Sequence, residues 1–558
     1  MMAVQKKVPS RRLRFAGTVV ALMLGSAGTG FAQGYLTEGY DAGRTGWVKE
    51  EKILTKSNID KMRLLWRVQL PSVQRNFHDI HTPLVIENLQ TPDGVKEVAV
   101  VAGIDDQLFG VDAKNGAILW TKKMDHKLGK LPDSVDRLCP NGQTSIPTIE
   151  KTPDGKYKLW ALAGDGRVWE VDPATGKDIA PPQVWYQTGN FKTYALNMTN
   201  GYLVTSTSQG CGGHINAFGF FNTRDGSTMQ FAPIGGGMWG RRGVAVDSQG
   251  TAWIGTGGAR FQPEGGIQGP GTLATSIVGV RPNPQTNKID LIGAHSAYNS
   301  NWIFKRDLDI SVSPNIFTYQ GKEMMVYTHK TCRVHLVDLA AVRAAGAKAL
   351  RKTLDTSSLI CNDRQLWDEN GAWGVITTAQ DSEGKQWVFV PFWGEKSREF
   401  NPPVINTPAV PGGRVWDLQL SKHGGVAAFT VDKTPTGYKL TPRWVSQDMN
   451  MGEGALFAND ILWVYASGVN NRQQGREVEW NDHMTPFAEQ PLPGVDMGTH
   501  ATIYALDAKT GKTLWSSGDH IKTWNHWNTM TLADGKVMLS TVDGVVYAFG
   551  VDPEAFEY

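Results

Sequence analysis

Apolar and polar positions along this chain alternate in short runs closed by turn residues, the period expected of strands rather than of helices. Three stretches share one grammar: VDAKNGAILW (111–120), VDPATGKDI (171–179) and LDAKTGKTLW (506–515) each give a strand end, an Asp, a small turn, a Gly and a second strand. The turn chemistry accounts for the spacing. Asp at the first turn position bonds the backbone ahead of it, and Gly or Asn two or three positions later accepts positive φ. Looser copies begin at Phe221, Pro282, Leu336 and Thr430, and each is expected to be a hairpin rather than a helix. Units of about 50 to 60 residues follow, seven or eight in all, and this is the size of a four-stranded propeller blade around a central channel. The strand-end Trp66, Trp120, Trp444 and Trp515 are expected to dock between blades. The early RLLWRVQL and the final VVYAFG are expected to pair and close the ring, leaving no open edge.

Composition agrees with an all-β class: 62 Gly, 20 Trp, 20 Phe and 14 Tyr favour many short strands and tight turns. With 56 basic and 54 acidic residues the formal charge is +2, so bulk electrostatics argue for neither a nucleic-acid partner nor a membrane surface. The first residues change the picture. A basic stretch, an apolar run of small residues and FAQG at 31–34 read as a signal peptide over 1–32, leaving 33–558 as a single exported domain in the periplasm. The apolar run is too short and too rich in glycine for a membrane span, which needs about 18 residues, and no second candidate span occurs. Four cysteines in an exported chain allow two disulfides in three connectivities. Cys139 and Cys211 are read as a structural disulfide rather than as nucleophiles. No CxxCH haem-attachment motif is present.

The repeats with terminal Trp, the export signal and the segments GYDAGRTGWVKEEKILTKSNIDKMRLLWRVQL and HTPLV together resemble the pyrroloquinoline quinone-dependent alcohol dehydrogenases, the quinoprotein propellers. The resemblance implies an eight-bladed β-propeller of four-stranded antiparallel blades with tryptophan-docking repeats. It also implies an oxidoreductase acting on an alcohol or related hydroxyl substrate, with electrons passing to a separate acceptor such as a cytochrome c. Repeats of this kind also occur in propellers that resemble outer-membrane assembly scaffolds, so a non-catalytic binding role is the alternative.

On that resemblance FKRDLDISVSP (304–314) is a channel-facing strand. Asp307 becomes the catalytic base and a metal ligand, and Asp309 a second ligand on the same face of a calcium or lanthanide ion. Lys330 would hold the quinone oxygen and Trp239 would stack on the ring. Arg241 would meet a carboxylate, and Cys139 and Thr144, in RLCPNGQTSIP, would edge the cofactor. The chemistry suits these types: a planar quinone with three carboxylates wants cations at its rim, an aromatic face and a base for the alcohol proton. The chain also departs from the family. Gly258 stands where the family places a metal-binding Asn, the segment 205–218 has no acid, and no adjacent-cysteine pair is present.

Overall fold

A computed structural model of the chain describes residues 34–72, 80–125, 139, 142–233, 237–258, 273–304, 308–363, 371–403, 424–449, 451–468, 500–525 and 528–551. These residues form eight antiparallel sheets in ring order, and contacts gather Gln33–Tyr558 into one unit. Seven of the sheets are runs of consecutive strands, as in the first: Leu84–Thr91, Gly94–Gly103, Gln107–Asp112 and Ile118–Lys123. Exposure rises along each blade. The second and third strands are almost wholly buried, whereas a fourth strand such as Asp178–Val184 is largely exposed, so first strands face the axis and fourth strands face solvent.

The eighth blade joins the two ends of the described chain. Arg63–Gln69 pairs antiparallel with Val545–Gly550, Trp66 lying opposite Ala548, and completes a sheet with Lys536–Ser540 and Thr531–Ala533. No strand edge is left open at this seam, as RLLWRVQL and VVYAFG predict.

The repeat tryptophans dock as expected. The indole N–H of Trp66 donates to Ala113 O, that of Trp120 to Pro173 O, that of Trp444 to Ala508 O and that of Trp515 to Met62 O, every bond running to the repeat turn or chain start of the next blade. The turn glycine is part of the device. A Cβ on Gly176 (φ +71°) would stand 2.6 Å from the Trp120 ring, so the indole needs both the left-handed backbone and the missing side chain. Asp172 meanwhile accepts from Ala174 N and from the Thr175 hydroxyl, which fixes the turn.

Two expectations are corrected. The copy beginning at Leu336 is not a tight hairpin: Asp338 accepts from Ala340 N and Ala341 N and caps a helix, Leu339–Ala345. The sequence LAAVRAA contains good helix formers and no turn glycine before Gly346, so the cap propagates instead of reversing the chain. The stretch around FKRDLDISVSP is not a strand. A short helix, Ser300–Phe304, leads toward it, and residues 308–314 run without ladder partners, all buried, into the strand Asn315–Tyr319. Two of their polar groups bond laterally instead, Lys330 N donating to Asp309 O and the Ser311 hydroxyl to Ala372 O. Alternation of faces therefore does not apply to this run.

The entry segment GYDAGRTGW crosses the ring's interior. The fully buried Arg44 guanidinium donates to Val244 O and Leu196 O, and Arg44 O accepts from Asn315 Nδ2 and Arg242 Nη1. Arg242, also fully buried, donates to Ile376 O and Ala455 O. Two guanidiniums thus tie the inner ends of the third, fourth, sixth and seventh blades to one plug, and the Arg44 carbonyl adds the fifth through Asn315.

Candidate functional site

Above this plug the inner ends of neighbouring blades bring several of the expected residues together. The third blade begins with Lys192–Thr193, the fourth with Met238–Trp239, and the seventh with Gly452–Ala458. Asp309 lies just before the fifth blade, and Lys330 in the turn after its second strand, Lys322–Thr328. Because first strands line the axis, side chains distant in sequence converge here.

Asp309 and Lys330 form a buried ion pair, Nζ to Oδ2 2.8 Å, with side chains 4% and 3% exposed. The other carboxylate oxygen, Oδ1, accepts from Gly258 N at 2.5 Å. Glycine is required beside it: a Cβ on Gly257 would fall 2.6 Å from Asp309 Oδ1 and 3.1 Å from Trp239 Nε1. The Lys330 ammonium also lies 5.8 Å from the centre of the Trp239 ring and 5.1 Å from that of Trp373. Asn362 Nδ2 donates to Lys330 O, and a disulfide joins Cys332 to Cys361, so both sides of the Lys330 turn are braced.

From Trp373 the contacts continue inward. Trp373 stacks on Trp393 with ring centres 5.4 Å apart and planes 14° from parallel, and the Arg241 guanidinium lies 5.2 Å from the centre of the Trp393 ring. Arg241 pairs with Glu453, both buried. Burial pushes the Glu453 carboxyl up to about 8, the Arg241 guanidinium acting in the opposite sense. Arg242, the next residue, turns into the plug, so this dipeptide links site and scaffold.

Lys192, like Trp373, Trp393 and Glu453, is a residue of this region that the sequence did not single out. It is 3% exposed, and its ammonium lies 5.8 Å from the Trp239 ring centre, the same separation as Lys330. In FKTYAL it reads as an edge lysine, and the only signal was its place among apolar neighbours. Thr144 is tied to the same strand, its hydroxyl accepting from Thr193 N at 2.9 Å. Cys139 and Cys211 are disulfide-bonded, in line with their structural reading, and Gly212 packs on the carbonyls of Gly189 and Asn190 just ahead of Lys192. Asp307 lies outside the described residues.

The described residues suit a planar anion better than a metal ion. An indole with two ammonium groups at its face matches a flat, negatively charged ring. For a cation the donors are few. Both oxygens of Asp309 are held by donors, Gly258 contributes only backbone, and among the described residues no three His, Cys, Asp or Glu side chains are grouped to hold a metal.

A family model described as outer membrane protein assembly factor BamB matches residues 22–251. No curated protein matches the chain by sequence. Among solved structures, the quinohemoprotein alcohol dehydrogenase of Comamonas testosteroni aligns at 15% identity and a TM-score of 0.55, over 93% of this chain and 80% of that one. A quinohemoprotein alcohol dehydrogenase of Pseudomonas putida HK5 aligns at 13% identity and 0.55 with the same coverage. A europium-containing methanol dehydrogenase aligns at 12% identity and 0.57, over 93% of this chain and 98% of that one. The architecture expected from the tryptophan repeats is thus borne out: the chain folds as an eight-bladed propeller similar to those of the alcohol and methanol dehydrogenases.

Proposed function

We propose that the protein is an exported oxidoreductase of the periplasm that binds pyrroloquinoline quinone, oxidises an alcohol or related hydroxyl compound and hands the electrons to a separate carrier such as a cytochrome c. The observation that carries this reading is the Lys330 ammonium, buried between two indoles and paired with Asp309. A lysine is not held in such surroundings for stability alone, since burying an ion pair gains little over an apolar pair of similar volume. The reading is also supported by the architecture shared with alcohol and methanol dehydrogenases.

When bound, an ortho-quinone supplies the hydride acceptor that amino-acid side chains cannot. The chain's own residues do the rest. Trp239 offers the face for the ring, and Lys330 donates to a ring oxygen where negative charge accumulates. Arg241, the Thr144 hydroxyl and Cys139 of the Cys139–Cys211 disulfide border the carboxylate rim. Asp307 is the base that accepts the substrate hydroxyl proton, and Asp309 keeps Lys330 charged and in place.

The second reading, a propeller that binds or scaffolds without turnover, is favoured by Gly258 and by the family match over residues 22–251. Reconstitution separates the two. Apo-protein given pyrroloquinoline quinone, alone and with calcium or lanthanum, is assayed for dye-linked oxidation of short alcohols. The enzymatic reading requires turnover that Asp307→Asn abolishes; cofactor binding with no turnover on any hydroxyl compound would leave the scaffold reading.

A further inference from the structure

We propose that residues 357–362, locked to the Lys330 turn by the Cys332–Cys361 disulfide, are the positioning device of the Lys330 ammonium. Asn362 holds the lysine's backbone, and the disulfide keeps Asn362 in place. The consequence for quinone affinity rests on the quinone reading above.

Lys330 stands at the first central position of a turn that Cys332 N closes by donating to His329 O at 2.9 Å. The ladder between the second and third strands of the fifth blade ends before this turn, at Thr328 and Val334. Three of the turn's supports come from one short segment: Ile360 N donates to Cys332 O at 3.0 Å, Asn362 Nδ2 donates to Lys330 O at 2.9 Å, and Cys361 is bonded to Cys332. Asp309 supports the other side through its backbone carbonyl and its carboxylate.

The segment follows the outermost strand of the fifth blade, Asp355–Thr356, and returns toward the axis along the third strand. Ser357 N donates to Val334 O and Val334 N to the Ser357 hydroxyl, both at 2.9 Å. Its inner end meets the sixth blade, where Ser397 N donates to Ile360 O at 2.7 Å. Ordering each residue of such a segment costs at least as much as one neutral hydrogen bond returns, so a covalent link decides whether it stays in place. Cys332 and Cys361 are fully buried, and the link is not a surface staple. Cys332 and Asn362 both adopt the left-handed backbone, with φ +63° and +64°. A cysteine persists there only where its surroundings fix it.

With the turn fixed from both sides, the ammonium reaches Asp309 at 2.8 Å and lies 5.1 Å from the centre of the Trp373 ring. Cutting the link releases one side only. Lys330 should then sample other positions, whereas Lys192, on a strand that pairs with Ser208 in the third blade, should not.

The test is acetic anhydride labelling of the full-length protein without ligand, read by mass spectrometry at Lys330 and Lys192, both almost fully buried. The parent is compared with the double variant Cys332→Ala, Cys361→Ala and with Asn362→Gly, which keeps the left-handed backbone and both cysteines. Because labelling of a buried lysine tracks local opening, the double variant should label Lys330 about five-fold or more faster and Asn362→Gly about two-fold or more, with Lys192 unchanged in both. If the double variant fails to fold, Asn362→Gly carries the test. Unchanged labelling of Lys330 overturns the inference, and so does an equal rise at Lys192, which would mean general loosening. Titration of the same proteins with pyrroloquinoline quinone should show affinity about five-fold or more weaker in the double variant. Equal affinity despite a freed Lys330 overturns the consequence for binding. No binding by any of them, with Lys330 freed in the variants, overturns the quinone reading and leaves the positioning device standing.

Discussion

The Lys330 ammonium and the Asp309 carboxylate meet at 2.8 Å, and the two backbones are joined as well, Lys330 N donating to Asp309 O at 2.9 Å. Side chain and main chain thus fix the same pair, which sets where the ammonium stands relative to Trp239. Removing one partner leaves the other charge buried. Lys330→Met should lower the unfolding free energy by about 3–5 kcal/mol, and the double variant Asp309→Asn, Lys330→Met should recover a large part of that. Denaturant unfolding of the two single variants, the double variant and the parent measures the coupling; additive losses would show that the pair is not a unit.

A buried histidine cluster should make the fold acid-sensitive. His295 Nδ1 lies 2.8 Å from the Tyr327 hydroxyl, His335 stacks on Tyr327, and His329 packs edge-on against both rings. Burial depresses all three imidazoles, His295 to about 4 and His329 to about 3, with His335 well below its ordinary value. Between those values and about 6.5 the unfolded chain binds more protons than the folded one. Stability from this cluster is therefore complete above about pH 6.5 and is lost as pH falls toward 4. Melting temperatures measured from pH 4 to 8 should show that slope, and His329→Phe should flatten it; an unchanged slope would remove the cluster as its cause.

Blade docking through indoles predicts a local cost. Trp444 is 2% exposed and donates to Ala508 O across the gap between the sixth and seventh blades. Trp444→Phe should cost about 1–3 kcal/mol, since it leaves a buried carbonyl without its donor, and Trp444→Ala about 3–5 kcal/mol. Denaturant midpoints check both, with the larger loss expected for alanine.

Much of this architecture was legible because it is written locally. The Asp, Gly and Trp of each repeat carry turn, left-handed backbone and docking indole within about ten residues. Ring closure followed from two strand-like ends that had no other partner. The site was legible only in part. Lys330 and Asp309 were singled out by the family resemblance, but their mutual bond depends on an unpaired run whose burial hides its lack of alternation. Lys192 and Trp373 carried no local motif. Their role arises from the third, fifth and sixth blades meeting at the axis, which is long-range information. The helix after Asp338 escaped for a simpler reason: Asp starts helices and turns alike, and the alanines that follow decide between them.

The account stands most directly on where the quinone binds. Titration of the purified protein with pyrroloquinoline quinone, read by tryptophan fluorescence for the parent and for Trp239→Leu and Lys330→Met, tests this in one measurement. The account predicts one equivalent bound by the parent and affinity reduced at least about ten-fold in each variant whose fold is retained. Equal affinity in all three proteins, or none in any of them with or without calcium or lanthanum, would contradict it.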